Sequence, residues 1–198
     1  MKKDTIMLPK DFKSSFLSIE KDSELIIRKL FFESKPYSEQ LKKLLVLNTK
    51  DCLDVKDSDV YAEILNKTTL NVLQEKGYIK FAPKLLIPEH EEVKSYILIS
   101  FDDFAPNANN PMFRDCTVVF DVLCHTDYWD LGNFRQRPLK IVGYIDGILN
   151  NSKLSGIGTF NFIGCNEYVL NEHFSGYSLA YRAVHGSDDK IPLHKEDR

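Results

Sequence analysis

Cys124 and His125, with Asp121 and Asp127 close by in the sequence, are the residue types of a nucleophile, a general base and an orienting acid. Attack by such a thiolate requires the imidazole within hydrogen-bond reach of the sulfur. The surrounding stretch works against that geometry. From Arg114 to His125 the residues alternate, with Cys116, Val118, Phe120, Val122 and Cys124 on one side. A period of two is that of a half-buried strand, and neighbours on a strand point to opposite faces. Cys124 and His125 therefore cannot pair directly, and the expectation is a buried thiol beside a histidine at the rim. No catalytic residue is assigned.

Asp121, His125, Asp127, His173 and His185 are of metal-ligating types. None falls in an HxH, HExxH or Cys/His spacing that would fix ligands on one face, so no metal ligand is assigned. Gly156-Ile157-Gly158 lacks the third glycine and the strand–turn–helix setting of a dinucleotide fingerprint. It precedes a strand and reads as turn chemistry, so no cofactor is expected. A different group is more informative. Tyr128, Trp129, Phe134, Arg135 and Arg137 crowd one connection that holds the only Trp of the chain. Aromatic side chains and Arg together are the composition of an interface centre.

The elements that must position these residues run from 112 to 150: the alternating strand, the aromatic connection, then a helix opened by Pro138, where the missing N–H costs nothing. Ile141, Val142, Ile145, Ile148 and Leu149 recur at helical spacing on it, opposite Lys140, Asp146 and Asn150. Gly143 and Gly147, four apart, are costly in an exposed helix. They suggest close approach of the helix to the sheet or to another subunit.

Upstream, residues 1–18 show no clean period and read as an arm ordered only by a binding partner, with Ile6, Leu8, Phe12 and Phe16 as anchors. Asp22 or Ser23 is expected to cap a first helix, and Ser38 a second with Glu39 in its first turn. A polar loop spans Asn48 to Asp57. Ser58 is expected to cap the longest helix, ended by Gly77. Tyr78 to Phe81 is a short extended piece, Pro83 and Pro88 exclude a central strand between them, and Glu89 to Glu92 is an acidic turn. Tyr96 to Asp102 alternates as a strand, and Ala105 to Pro111 is an exposed loop. Beyond the central helix, Thr159 to Cys165 forms a strand with Phe160 and Phe162 on one face. Glu167 to Ser175 reads as a long hairpin loop, and Tyr177 to Ala183 as a last strand. The division expected is an arm at 1–18, a helical segment at 19–77, a core at 78–186 and a flexible tail at 187–198. Helices segregated from a run of strands predict an α+β fold, with a mainly antiparallel sheet of about four strands packed by a helix.

The chain of 198 residues is 43% hydrophobic and carries a net charge of -3. It is long enough for one sizeable core. The charge argues against coating nucleic acid, which needs many Lys and Arg contacts to phosphates. No apolar run reaches bilayer length, and no secretion signal follows the basic start. The four Cys, at 52, 116, 124 and 165, form no CxxC pair and read as buried free thiols.

The order of elements resembles that of the tail-terminator and tail-completion proteins of long-tailed bacteriophages. The resemblance covers roughly residues 58–186. It rests on a leading helix, the two strands at Tyr96–Asp102 and Asp115–His125, and the Arg137-Pro138-Leu139…Ile145-Asp146-Gly147-Ile148-Leu149 helix. The Gly156-Ile157-Gly158 turn and the closing Gly176-Tyr177-Ser178-Leu179 strand complete it. It implies a non-enzymatic virion protein that forms a hexameric ring in the neck region, caps the tail tube and joins the tail to the head. The partners implied are further copies of the chain, the tail tube protein, a neck or head-completion protein and the tail sheath. Genome DNA would pass through without sequence-specific binding, and no membrane is involved. The setting implied is the virion, and the host cytoplasm during assembly. The loops at 103–113 and 126–137 are then the candidate contacts, adding Phe104, Asn107 and Phe113 to the aromatic and Arg group. The competing readings are another phage connector (head closure, head-tail adaptor or baseplate subunit) and a small Cys/His hydrolase or metal-dependent enzyme.

Overall fold

The computed structural model of the chain describes Phe16 and residues 19–56, 61–82, 93–109, 113–154 and 156–185. The expected arm at 1–18 apart from Phe16, the cap at Ser58, the segment between Pro83 and Pro88, the acidic turn at Glu89 to Glu92 and the tail at 187–198 lie outside the described residues.

The helical part holds α1 (Ile19–Arg28), continued by a π-helical turn over Lys29–Glu33, and then α2 (Tyr37–Val46), α3 (Tyr61–Lys67) and α4 (Leu70–Glu75). The strands are β1 (Ile79–Lys80), β2 (Ser95–Pro106), β3 (Arg114–His125), β4 (Lys153–Leu154), β5 (Gly158–Thr159), β6 (Asn161–Val169) and β7 (Phe174–His185), with α5 (Arg137–Leu149) between β3 and β4. The main sheet has the order β1-β2-β3-β7-β6. Its four long strands are antiparallel to their neighbours, and the short β1 lies parallel to β2 at one edge. The fold is α+β, as the alternation of the strands and the segregation of the helices predict.

Long strands sit where apolar residues alternate. Val118, Phe120 and Val122 of β3 pair in register with Phe101, Ile99 and Ile97 of β2 and with Tyr181, Leu179 and Tyr177 of β7. This face is covered by helices. Ile26, Leu30 and Phe31, Leu41, Leu44 and Leu45, and Ile141, Ile145 and Leu149 join it in one buried cluster. Burial on this scale is the main stabilising term, at about 25 cal/mol per Å² of apolar surface. Among the described residues the opposite face carries only a small cluster at one end, formed by Tyr96, Leu98, Leu123 and Phe174. Gly176 is demanded by the pairing: a Cβ there would lie 1.8 Å from the carbonyl oxygen of Val122.

Several expectations are corrected. Asp22 and Ser23 lie inside α1, which is already helical at Ile19; Asp22 is buried instead of capping. Ser38 is the second residue of α2. Its hydroxyl accepts a hydrogen bond from the N–H of Ser34 at 2.9 Å, so it fixes the preceding turn. The long helix ending at Gly77 is two helices. The Thr68 hydroxyl donates back to the carbonyl of Ile64 at 2.7 Å, and Thr69 is extended and accepts from the N–H of Val72. Two adjacent Thr thus give the backbone an alternative to the helix ladder. The longest α-helix among the described residues is α5, with 13 residues. Strand β2 runs on to Pro106, into the stretch expected as loop.

The long hairpin loop is mostly strand. β6 continues to Val169 and β7 begins at Phe174, and the side chain of Asn171 accepts from the N–H groups of His173 and Phe174 at the turn. β6 is an edge strand, so Asn166 and Glu167 remain exposed and mask the alternation. Phe160 is fully buried whereas Phe162 is half exposed, although both ring edges meet Tyr181.

Candidate functional site

The connection from β3 to α5 is built from its two ends. His125 ends β3 and its Nδ1 accepts the N–H of Asp127, which starts a single 3-10 turn over Thr126–Tyr128. Trp129 follows, half-buried against the main cluster. At the far end Arg137 is completely buried. Its Nε donates to the carbonyl of Tyr128 at 2.8 Å, Nη1 to the carbonyls of Leu44 and Leu47, and Nη2 to that of Thr49 at 2.6 Å. Leu44 and Leu47 belong to the C-terminal end of α2, where unpaired carbonyls and the helix dipole favour a cation. Arg137 is therefore not a subunit contact, as its type and position in the sequence suggest. Its planar fork ties α2, the loop after it and the start of α5 together.

Between these ends the chain makes a miniature hairpin. The N–H of Leu131 donates to the carbonyl of Arg135 at 2.9 Å, and that of Arg135 to Gly132 at 3.0 Å. The two central residues, Asn133 and Phe134, both have positive φ, 50° and 61°. This is a type I′ turn, in which glycine is preferred at the second central position. Phe134 occupies it instead, at a cost of about 1–2 kcal/mol, and its side chain is wholly in solvent. A strained, bulky and fully exposed aromatic residue contributes nothing to the core of a lone chain. Arg135 is half-buried, bonded to Leu131 and Gly132 carbonyls and 3.5 Å from Asp54.

Phe134 stands at the rim of a groove of about 740 Å³. Tyr37, Gln136, Leu139, Lys140, Gly143, Tyr144 and Gly147 line it with Phe134 and Arg135. Ile141, Ile145 and Leu149 of α5 face the sheet, and the groove runs along the outer side of the helix. Gly143 and Gly147 do not mediate a close approach to the sheet: a Cβ at either would meet no atom within 4 Å. They leave the floor of the groove open. The glycine pair is a signal in the sequence, but its direction depends on the packing of Tyr37 from α2 beside Tyr144, 6.2 Å between rings.

The other candidate contacts fall elsewhere. Phe104 is partly buried against the core and packs edge-on to Phe16 at 4.9 Å and to His185 at 6.1 Å. The Nδ2 of Asn107 donates to Asp115 at 2.6 Å, and its backbone N–H donates to the Phe113 carbonyl. Phe113 is half-buried. These residues lie at the Arg114 end of β3, whereas Tyr128, Trp129 and Phe134 follow its His125 end. A strand of 12 residues separates the groups by about 36 Å. Two surfaces result, not one.

The residues considered for catalysis do not converge. Cys124 lies in the core, and burial pushes its thiol up to about 12; Cys116 is likewise raised to about 12 by burial. His125 points away from Cys124 and stacks on His173, with ring centroids 5.7 Å apart. Burial also raises the Asp121 carboxyl, opposed by a hydrogen bond from Ser178. His185 is remote from the other two and is buried against Asp22. Among the described residues no group of three or more His, Cys, Asp or Glu is arranged to hold a metal ion. No helix among them is long and apolar enough to cross a membrane.

One exposed surface is not marked by any pattern in the sequence. Phe162, Ile163 and Val169 of β6 are 48%, 51% and 62% exposed, since α5 lies over β3 and β7 and β6 forms the sheet's edge beyond them. No curated protein matches the chain. The family model YomW matches residues 38–183, from the second residue of α2 nearly to the end of β7. The chain therefore belongs to the YomW family, a phage-type protein family of SPbeta and Bacillus prophages.

Proposed function

We propose that this phage-type protein is a structural virion subunit, a tail terminator that closes into a ring on the end of the tail tube and joins the tail to the neck. The observation that supports this most is Phe134. A bulky residue in a glycine conformation, wholly in solvent beside an open groove, has a physical purpose only when another surface covers it. A closed ring supplies such a surface at every subunit, through a heterologous contact whose rotation closes.

The antiparallel strands β2, β3 and β7, the helix α5 and the glycine turn before β6 are the elements on which the tail-terminator resemblance rests. The net charge of -3 suits a passage through which DNA slides, because tight binding would need positive charge. In this reading the protein carries no catalytic centre and no cofactor, and its neighbours are the tube, neck and sheath proteins. The test is a tube-extension assay on purified tail tubes of the phage that encodes the protein. Addition of the protein should arrest elongation and leave extra density on one tube end in negative stain. Unaltered elongation with bare tube ends would refute the terminator role.

A further inference from the structure

Ring closure requires two different surfaces on the same chain, and two of the apolar surfaces open among the described residues carry opposite charges. One is the groove on the outer side of α5, rimmed by Phe134 and Leu139. The other is the face of β6 carrying Phe162 and Val169, with Ile163 beside them. Phe162, Cys165, Glu167 and Val169 pair with Tyr181, Leu179, Tyr177 and Ser175, so they share the side of the sheet that the helices cover further in. β6 is beyond that cover.

Charge matches the two. Lys140 is exposed on the groove and has no ion-pair partner among the described residues, while Arg135, the groove's other cation, is engaged by Asp54. Glu167 is the sole charged residue of β6, exposed between the apolar positions and likewise without an ion-pair partner among the described residues. The groove faces away from the sheet, so a chain cannot fill it with its own β6. Strand addition along the outer edge of β6 is disfavoured, because the register shifts between Phe162 and Gly164 and a bulge interrupts the edge ladder. What β6 offers is its side chains.

We infer that the occupant of the α5 groove is a second copy of this chain, whose β6 face seats between Phe134 and the floor at Gly143 and Gly147, with Glu167 against Lys140. The contact is heterologous: each subunit gives a groove to one neighbour and a strand face to the other. This rests on the ring reading and deepens it by naming the two surfaces that meet.

The experiment is a charge reversal read by the concentration at which full-length protein assembles, alone and on tail tubes. Lys140→Glu and Glu167→Lys, singly, should each raise the assembly midpoint about tenfold or more, and the double variant should return to within about threefold of the unsubstituted protein. Thermal unfolding of every variant should match the unsubstituted chain, since both side chains are exposed. Rings that form equally well with either single reversal, or a double variant as weak as the two singles combined, would overturn this contact while leaving the ring intact. An unsubstituted protein that stays monomeric both alone and on tubes would overturn the ring and this contact together.

Discussion

Asp22 of α1 and His185, the last residue of β7, meet inside the protein from positions 163 residues apart. The carboxylate oxygen bonds Nδ1, and the two residues are only 2% and 0% exposed. The contact fastens the helical segment onto the end of the sheet, beside Phe104 and under the turn at Gly156, where a Cβ would come within 2.6 Å of the Asp22 carboxylate.

Removing one member of that pair takes this contact from the other while it stays buried. Asp22→Ala should cost about 3–5 kcal/mol of unfolding free energy, as breaking a buried pair does. Combining it with His185→Ala should cost less than the two changes summed. Urea midpoints of the two single variants and the double variant check this, and strict additivity would mean the side chains act separately.

Arg137 is the second long-range fastener. Arg137→Lys keeps the charge, but the three donors of one ammonium cannot satisfy four carbonyls, so at least one acceptor loses its donor. Loss of at least about 1–3 kcal/mol is expected, the range for one unsatisfied buried group. A lysine variant that unfolds at the original urea concentration would contradict the anchoring role.

Much of this fold can be read from the residues. β3 shows its period of two because one face is wholly apolar, and α5 shows its apolar stripe and its Pro start. Phe134, Arg135 and Arg137 stand out by type alone, but type does not separate a residue that faces solvent from one that clamps the interior. Phe134 and Arg137 are three positions apart and end in opposite environments, because Arg137 finds the C-terminal carbonyls of α2 and Phe134 finds a tight turn. Long-range partners decide that difference, and local pattern does not contain them. The same reason hides Asp22, which has the type and place of a helix cap but answers to His185. The second half of β6 escapes for another cause: on this edge strand both Asn166 and Glu167 are exposed, so no alternation marks it.

Burial raises the carboxyl of Asp121 above its ordinary value. A raised carboxyl means the folded state holds its proton to higher pH than the unfolded chain does. Its effect on stability is therefore unfavourable once pH rises through that raised value, and absent below the unfolded value of about 3.9. Asp121→Asn should raise the melting temperature at pH 7, with the gain shrinking toward zero as pH falls below about 3.9. Thermal melts of both proteins across pH 3 to 7, a range bracketing the ordinary carboxyl value of about 3.9, measure it; a pH-independent difference would assign the effect to something other than the charge.

Phe134→Gly separates stability from assembly. Glycine suits the left-handed position, so the lone chain should gain about 1 kcal/mol. Subunit association should weaken by about tenfold or more, the loss typical of an interface anchor. Melting curves on dilute protein and sedimentation at assembling concentration give the two numbers. Improved stability with unchanged association would remove Phe134 from the contact.

The most direct test of the central claim is the mass of the full-length protein by sedimentation, alone and with purified tail tubes. The ring reading predicts a species of about six copies, the count the tail-terminator resemblance implies and a closed heterologous contact permits, in solution or bound at tube ends. A single-copy mass under both conditions, at concentrations well above those of virion assembly, would contradict it.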